Sequence, residues 1–440
     1  MTRQGSRRAF LRRWGVAALA SGVAGCSGGG DGGDGGGGTT TDAGGGSGSG
    51  KKKKTTKQTT TAPNGTSTTT TAATTTTATT TTVDPRTLET WTQYQADPEH
   101  TGRARVDGPD AGERAWREAI NGPVNYGPVV AAGLVFVATS EKKTLYALRP
   151  GSGRTVWRTQ IGAPTGTFAV ADGLLLVMDS KLRAFDPVSG EQQWTSVSVA
   201  GNPDTSSAVT VRDGLAYVVD DGRRVTAVRL QSEKKDSRVK WRSIELVTPV
   251  TSPAVDGERV YLSDARGYYA HTLDTGQRIW GTYTHRQATA APTVNADAGH
   301  VYFTSNRGDV YAVDRKTGTE VWQANLGSAV TTSPAIDDTG LFVTDASGTL
   351  TKLRQGDGSS VWSKRVGHNT HSAPVIAGDY VYLGSQNGDV FALAREDGAT
   401  VWRAGTGGAV DGSPAIGTNA LWIGSADRHV YAFGTPGADR

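Results

Sequence analysis

The sequence predicts an all-β protein: an eight-bladed β-propeller of four-stranded antiparallel blades. Three observations favour this fold. Tryptophan recurs about every forty residues, short apolar runs alternate with turn residues, and no segment shows sustained helical periodicity. A repeat of this length is typical of units that must stack on their neighbours to bury a core. The recurring tryptophans are Trp116, Trp157, Trp194, Trp241, Trp280, Trp322, Trp362 and Trp402.

Most of these tryptophans end a common frame. From Ala312 to Trp322 the frame reads a small residue, an Asp two positions later, a Thr-Gly turn, and a Trp ten positions after the alanine. Lys352 replaces the alanine in one copy, and a charged insertion at 233–236 lengthens another. The remaining copies are 147–157, 184–194, 270–280 and 392–402.

The unit between Trp362 and Trp402 shows how one blade is built. Its alternating apolar runs at 375–383 and 390–393 are short, rich in Val, Leu, Tyr and Ile, and bounded by Gly, Asn and Asp, as strands are. Asn387-Gly388 suits a tight hairpin turn with positive φ. Four such strands in forty residues correspond to one propeller blade.

The two ends of the repeat array are each incomplete. The last unit, 402–433, ends without a tryptophan of its own, whereas Trp116, in the segment 113–120, has no unit before it. Both deficits disappear if the N-terminal strand completes the last blade, which also removes exposed sheet edges. The sequence therefore predicts that Trp116 lies near Ala432 and that its strand pairs with 430–433.

We predict that the tryptophans are packing groups and not cofactor-stacking groups. The ring recurs in every unit, whereas a ligand site is needed only once. A large flat ring covers a neighbouring blade only where the backbone there is bare, which would explain the Gly and Ala at fixed offsets.

The N-terminal ninety residues differ sharply in composition from the repeats. Arg7 and Arg8, followed by Phe and Leu, resemble a Tat export signal, and the small residues before Cys26 resemble a lipobox. We therefore expect 1–25 to be a lipoprotein signal peptide and Cys26, the only cysteine, to be lipidated. The Gly- and Thr-rich segment 26–84 is predicted to be a disordered stalk, with a possible glycosylation site at Asn64. The propeller domain is predicted to be 85–440.

The net charge of the propeller domain gives no reason to expect a nucleic-acid partner. The chain has 46 Lys and Arg against 42 Asp and Glu. Five of these Arg lie in 1–25, and 26–84 holds five Lys against four Asp, so 85–440 carries about −2. A near-neutral domain does not attract a polyanion over long range.

The segment 91–102 and the Ala-x-Asp-x-x-Thr-Gly-x-x-x-Trp frame resemble the pyrroloquinoline-quinone-type propeller repeat family over roughly 91–434. That family includes quinoprotein alcohol dehydrogenases and non-catalytic outer-membrane assembly lipoproteins, so the resemblance implies the fold and leaves the function open. No Trp-Asp dipeptide occurs, which disfavours the WD type of propeller. The export signal and stalk together resemble archaeal cell-surface lipoproteins, for which an outer-membrane role would have no membrane.

One ring of residues differs from unit to unit while the packing positions repeat. It lies two residues before the Ser-Pro-like pair that opens each innermost strand, where propellers have their central funnel. Either a binding site or ordinary loop variation would produce this pattern. We select Asn125, Asp204, His371 and Asp411 as candidate funnel-rim binding residues; the other members are Thr165, Val250, Thr289 and Thr331.

The sequence does not support an enzyme. A quinone-dependent dehydrogenase needs calcium held by carboxylate and amide ligands and a carboxylate base. Asn125, Asp204 and Asp411 could in principle ligate calcium, but no position matches the family's catalytic motif. A single cysteine cannot form the vicinal pair of the alcohol dehydrogenases, and no Cys-x-x-Cys-His haem motif is present. His368 and His371 form a close pair that could be a metal site or simply two polar rim residues. We predict no catalytic residue, no metal and no cofactor.

We therefore predict a membrane-anchored, cell-surface lipoprotein, held through Cys26 at the outer face of the cytoplasmic membrane. Its non-catalytic propeller is predicted to be monomeric and to bind proteins or peptides as a scaffold for assembly. The alternatives are a quinone-dependent dehydrogenase and a binding protein for a small molecule or a glycan.

Overall fold

The structure is a computed structural model. It describes residues 91–437 apart from 197–198, 200–206, 221–222, 233–237, 244–245, 248–250, 285 and 369. The predicted signal peptide and stalk, with Arg7, Arg8, Cys26 and Asn64, lie outside the described residues, as does Asp204. Among the described residues there is no helix of the length and apolar character needed to cross a membrane.

The described chain folds into eight four-stranded antiparallel sheets, which we call blades 1 to 8. In blades 1 to 7, four consecutive strands run in order from the innermost to the outermost. The strands of blades 1 to 4 are β2 Val129–Ala131, β3 Leu134–Ala138, β4 Thr144–Leu148 and β5 Thr155–Gln160; β6 Ala169–Ala171, β7 Leu174–Met178, β8 Leu182–Phe185 and β9 Gln192–Thr195; β10 Thr210–Arg212, β11 Leu215–Val219, β12 Val225–Arg229 and β13 Val239–Arg242; β14 Ala254–Val255, β15 Arg259–Ser263, β16 Gly267–Thr272 and β17 Arg278–Tyr283.

Blades 5 to 7 repeat this arrangement, and blade 8 combines the first strand of the chain with the last three. Their strands are β18 Thr293–Asn295, β19 His300–Thr304, β20 Asp309–Asp314 and β21 Glu320–Asn325; β22 Ala335–Ile336, β23 Leu341–Thr344, β24 Thr349–Leu353 and β25 Ser360–Arg365; β26 Val375–Ala377, β27 Tyr380–Gly384, β28 Asp389–Ala394 and β29 Thr400–Gly405; β30 Ala415–Gly417, β31 Ala420–Gly424, β32 His429–Gly434 and β1 Arg114–Ala119.

The blades form a ring. Innermost strands of blades 1 to 7 contact one another in succession, and β2 of blade 1 contacts β30 of blade 8. Strand β1 pairs antiparallel with β32, and Trp116 lies opposite Ala432. This is the pairing that the incomplete ends of the repeat predict. The outer edge of blade 8 is therefore supplied by the N-terminal strand.

Each frame of the repeat is the outer hairpin of one blade. In blade 5, Ala312 lies directly across from Trp322, and Tyr302 lies across from Ala312 on the other side. The Tyr302 and Trp322 rings meet over the small alanine, with their centroids 5.8 Å apart. The alanine thus makes room for two rings within one sheet, whereas the sequence argument assigned it to the neighbouring blade.

The glycine of the frame lies where the sequence argument expects it, under the tryptophan of the preceding blade. A Cβ added to Gly318 would lie 2.7 Å from the Trp280 ring, and Gly318 has a φ of +76°. The indole N–H of Trp280 donates to the carbonyl oxygen of Arg315, 3.1 Å away. The same contact recurs between Trp157 and Gly190, Trp241 and Gly276, Trp322 and Gly358, and Trp362 and Gly398.

A β-bulge interrupts the outermost strand of each blade. In blade 5 the register shifts between Ala312 and Val313, which leaves Val321 unpaired and exposed. Equivalent residues are exposed at Val156, Ile279, Val361 and Val401. Bulges of this kind twist an edge strand and make it a poor template for pairing with other chains.

Candidate functional site

The N-terminal segment 91–104, which we call the plug, lies along one end of the ring and follows the innermost strands round it. Each innermost strand has one edge that no other strand of its blade covers, so the N–H groups along that edge need a hydrogen-bond acceptor. The plug supplies carbonyl oxygens to these groups. It receives backbone hydrogen bonds of 2.7–2.9 Å from Val130, Val170, Val255, Val294, Ile336 and Ile376.

These six donors are the second residues of their strands, so the contact repeats from blade to blade. In blade 3 the equivalent Val211 donates instead to the side-chain oxygen of Gln93, at 2.8 Å. Blade 8 is reached further along the chain, where the N–H of Asn419 donates to the Asp107 carbonyl oxygen. The plug therefore ties blades 1 to 7 together in order, and its continuation to residue 107 adds blade 8.

Tight turns let the plug curve within this small circle. Gln95, Ala96 and His100 have positive φ values of 54°, 71° and 57°. Gly102 has a φ of +64°, and a Cβ there would lie 2.8 Å from the Ala335 Cβ. Left-handed residues cost free energy, which the surrounding hydrogen bonds must offset.

Burial shifts the pKa values of two titratable side chains of the plug. His100 is fully buried, with Nδ1 3.2 Å from the Pro292 carbonyl oxygen and Nε2 3.1 Å from the Thr210 hydroxyl. Burial lowers the pKa of His100 to about 3, so the ring is neutral near pH 7. Burial raises the pKa of Asp97 to about 7, although the N–H and hydroxyl of Thr101 both donate to this carboxylate.

The other end of the ring is an open funnel of about 290 Å³. Its walls are the loops before the innermost strands, and Tyr94 of the plug forms part of its floor. The Tyr94 hydroxyl donates to the Ser333 hydroxyl at 3.0 Å, and the Tyr94 ring packs edge-on against His100. Because the plug closes the far end, the funnel is blind.

Three of the four predicted rim residues line this funnel: His371, Asp411 and Asn125. They occupy equivalent positions on blades 7, 8 and 1, which are consecutive round the ring, and we call them the polar arc. Asn125 and His371 are exposed, and Asp411 is half-buried. Asp411 accepts a hydrogen bond from the Gln386 side-chain amide at 3.2 Å through Oδ1.

Close approach of neighbouring loops holds the arc together. A Cβ added to Gly412 would lie 2.7 Å from the backbone of Tyr126, and one added to Gly127 would lie 2.8 Å from the Ser413 carbonyl oxygen. On the other side, the Ser413 hydroxyl accepts a hydrogen bond from the N–H of Ala373 at 3.1 Å. Glycine is therefore required where blades 8 and 1 meet.

The other four residues of the predicted funnel rim differ in where they lie. Thr289 and Thr331 also line the funnel. Thr165 does not, because it is buried and its hydroxyl lies within hydrogen-bonding distance of the Met178 and Ser207 carbonyl oxygens. The predicted position of Thr165 on the rim is thus wrong, and its hydroxyl serves packing between blades 2 and 3. Val250, like Asp204, lies outside the described residues.

The described lining of the funnel offers polar groups for binding but only one carboxylate. Asp411 is the one carboxylate among its described lining residues, and no Lys or Arg lines it. A quinone cofactor with calcium would need a carboxylate ligand and a separate carboxylate base, and Asp411 cannot fill both roles. The described lining therefore does not fit that cofactor.

A metal site fits the described residues no better. They contain no group of three or more His, Cys, Asp or Glu side chains that could hold a metal ion. His368 lies 2.9 Å from a guanidinium nitrogen of Arg365 through its Nδ1, and His371 lines the funnel.

Sequence reasoning missed the plug. The segment 91–102 lacks the alternating pattern of a strand, and its partners are 39 to 274 residues away in the chain, so no local signal reports the contacts. A weak signal did exist in the β-branched residue at the second position of every innermost strand.

These features define the class of protein: a closed, eight-bladed propeller with one plugged end and one polar, blind funnel.

The chain belongs to the family described as outer membrane protein assembly factor BamB, whose family model matches residues 101–268, 198–290 and 268–437. The assembly factor of this name from Yersinia pestis is 27% identical over 273 residues, covering 55% of this chain and 66% of that protein. The one from Salmonella typhimurium is 28% identical over 249 residues, covering 53% and 62%. The alignments thus span about two thirds of these relatives' own length.

Solved structures share the fold at low sequence identity. BamB from Moraxella catarrhalis has a TM-score of 0.62 at 17% identity, covering 73% of this chain and 99% of that one. A europium-containing methanol dehydrogenase has a TM-score of 0.66 at 12% identity, covering 80% and 99%. Because an assembly factor and an enzyme fit almost equally well, this likeness establishes the fold alone.

Proposed function

We propose that this chain is an exported, membrane-associated lipoprotein whose non-catalytic propeller binds other proteins as an assembly scaffold. The observation that carries the proposal is the described lining of the funnel, where Asp411 is the one carboxylate among polar side chains, so a carboxylate ligand and a separate carboxylate base are not both present there. The names of the relatives, which are assembly factors, support the same function.

The proposed division of the chain is a signal peptide at 1–25, a stalk at 26–84 anchored through Cys26, and a propeller at 85–440. We propose that the anchor holds a monomeric propeller at the outer face of the cytoplasmic membrane. The relatives are named for outer-membrane assembly; for this chain the proposed role is assembly at the cell surface, without an outer membrane.

The test is affinity capture from membranes with the intact lipoprotein as bait. We expect one or a few proteins to be recovered in stoichiometric amount. These proteins should not be recovered when the funnel of the bait is blocked by substitutions in its lining. A matched bait with substitutions on the plugged face controls for non-specific adsorption. Recovery of no stoichiometric protein partner would contradict the scaffold function.

The competing function is a quinone-dependent dehydrogenase, and its test is direct. Mixed with pyrroloquinoline quinone and calcium, residues 85–440 should show no cofactor spectrum and no dye-linked alcohol oxidation. A stoichiometric quinone complex would support the enzyme instead. A glycan-binding function would be supported by saturable binding of neutral oligosaccharides in the funnel.

A further inference from the structure

The polar arc carries an inference about the kind of group that the funnel takes up. It rests on the proposed function, because it concerns how a protein partner would be recognised. Its central residue is Asp411, flanked round the ring by His371 and Asn125. Hydrogen bonding by Gln386 to Oδ1 holds the Asp411 carboxylate in place, and no described residue bonds to Oδ2.

The charge of the described lining disfavours anions. Asp411 is negative, and the described lining has no Lys or Arg to offset it. A phosphate or carboxylate ligand would have to leave water and face a fixed negative charge without a counter-ion. A cation gains the attraction of Asp411, and Tyr94 and Tyr126 add aromatic rings that favour positive charge.

The size of the funnel limits the ligand to one side chain or a very short segment. Its volume of about 290 Å³ is at the lower end of small-molecule sites, and the plug prevents a chain from threading through. A long basic side chain on a flexible loop meets both limits. Its methylene groups would pack on Ala288, Ala290 and Ala291, which line the same funnel.

The hydrogen bonding of Asp411 distinguishes lysine from arginine. Arginine prefers a carboxylate with both oxygens available, because its planar fork makes two parallel hydrogen bonds. Here Oδ1 already accepts one hydrogen bond from Gln386 and keeps one lone pair, so Oδ2 is the oxygen with both acceptor sites open to a ligand. An ammonium group needs separate acceptors for its three N–H donors. Consecutive blades offer three such acceptors: Asp411 Oδ2, the side-chain amide oxygen of Asn125 and an imidazole nitrogen of His371.

We propose that the funnel binds the side chain of a lysine presented by a flexible segment of a protein partner, with Asp411 as the counter-ion. Gln386 is the positioning residue, since it orients Asp411 without lining the funnel.

The test is a titration of the full mature protein with the peptide acetyl-Gly-Gly-Lys-Gly-Gly-amide, followed by NMR. We expect saturable shifts of the amides of Gly412 and Ser413. The same peptide with acetylated lysine, or with glutamate in its place, should bind about tenfold more weakly or not at all. Added salt should weaken the lysine complex, because the funnel is open to solvent.

Three variants locate the effect. Asp411→Asn keeps the shape and a hydrogen bond to Gln386, and should lower the affinity about tenfold without changing thermal unfolding. Asp338→Asn makes the same change of net charge on the plugged face, where Asp338 is 72% exposed, and should leave the affinity unchanged. Gln386→Ala should weaken binding less than Asp411→Asn.

Several results would overturn the inference. They are an absence of shifts at millimolar lysine peptide, equal binding by Asp411→Asn, tighter binding of the matching arginine peptide, or displacement by neutral oligosaccharides. Affinity capture separates this inference from the scaffold function. If the Asp411→Asn bait still captures the partner, the lysine inference is wrong and the scaffold function is supported. If the wild-type bait captures no partner, the scaffold function itself is wrong.

Discussion

The indole N–H of Trp116 donates a hydrogen bond to the Pro150 carbonyl oxygen, 2.8 Å away. Trp116 belongs to blade 8 and Pro150 to the outer turn of blade 1, so this contact joins the two ends of the ring. At the preceding interface Trp402 of blade 7 bonds to the Pro109 carbonyl oxygen and covers Gly112, where the other blades have their Thr-Gly turn. The segment 109–116 thus replaces a missing piece of the last blade.

Gly153→Ala should destabilise the ring closure. Gly153 has a φ of +74°, and a Cβ there would lie 2.6 Å from the Trp116 ring. Gly173→Ala is a matched control, because its φ is +73° and nothing lies within 4 Å of the added Cβ. Both variants lose about 1–2 kcal/mol to backbone strain, and Gly153→Ala should lose about 1–3 kcal/mol more from overlap. Urea unfolding measures the difference, and equal losses would contradict the packing role of Trp116.

Removing the plug should destabilise the whole propeller. A chain beginning at residue 105 loses the six backbone hydrogen bonds that the innermost strands make to residues 91–102. At about 0.5–1.5 kcal/mol each, after water replaces them, the loss is several kcal/mol. A chain beginning at residue 85 keeps the plug and should match the mature protein. Thermal unfolding compares the two chains, and equal midpoints would show that the plug does not stabilise the ring.

The buried His100 should make stability fall in acid. Its pKa is about 3 in the folded protein against 6.5 when unfolded, so between these values the unfolded chain binds more protons. The contribution of His100 to the free energy of unfolding is therefore fully present above about pH 6.5 and falls by up to about 1.4 kcal/mol per pH unit below it. Asp97 acts in the opposite direction, because its pKa is raised to about 7 and the folded protein binds its proton more tightly.

His100→Gln isolates the histidine contribution, since Asp97 and all other groups stay the same. The variant should be less stable than the wild type at pH 7.5, and this difference in the free energy of unfolding should shrink between pH 7 and pH 4.5. His371→Gln, at an exposed position in the funnel, is the control and should keep the wild-type slope. Urea unfolding at each pH gives the values. A wild-type slope in His100→Gln would show that His100 does not titrate in this range.

Cys26→Ser should release the protein from membranes or block its processing, because Cys26 is the only thiol that could carry a lipid. Membrane fractionation and mass spectrometry of the N-terminus measure the outcome. A variant with Ser27 replaced by Ala is the control and should stay anchored. An unmodified Cys26 in a protein that still fractionates with membranes would contradict the anchor.

Replacing Arg7 and Arg8 by Lys should stop export, because a Tat signal depends on the arginine pair and not on charge alone. Pulse labelling followed by protease protection of the precursor measures export. Replacing Arg12 and Arg13 by Lys is the matched control and should leave export intact. Continued secretion of the Arg7 and Arg8 variant would point to the Sec route.

Much of the fold could be predicted from the sequence because the repeat is local. The Ala312–Trp322 frame is one hairpin, and its Thr-Gly turn and small residue are dictated by contacts that recur in each unit. Counting tryptophans was sufficient to pair Trp116 with Ala432, since only one arrangement completes every sheet. The position two residues before each Ser-Pro-like pair also predicted Asn125, His371 and Asp411 at the funnel, where they lie.

By itself, the sequence determined the number of blades and the packing role of the tryptophans, both of which follow from a period repeated along the chain. Only the tertiary structure decided that Thr165 is buried, that Gln386 orients Asp411, and that Tyr94 and His100 belong to a plug. The plug is one short segment that meets strands from the whole chain. Such contacts are set by where the ring brings unrelated residues together in space, and no periodic pattern in the sequence encodes them.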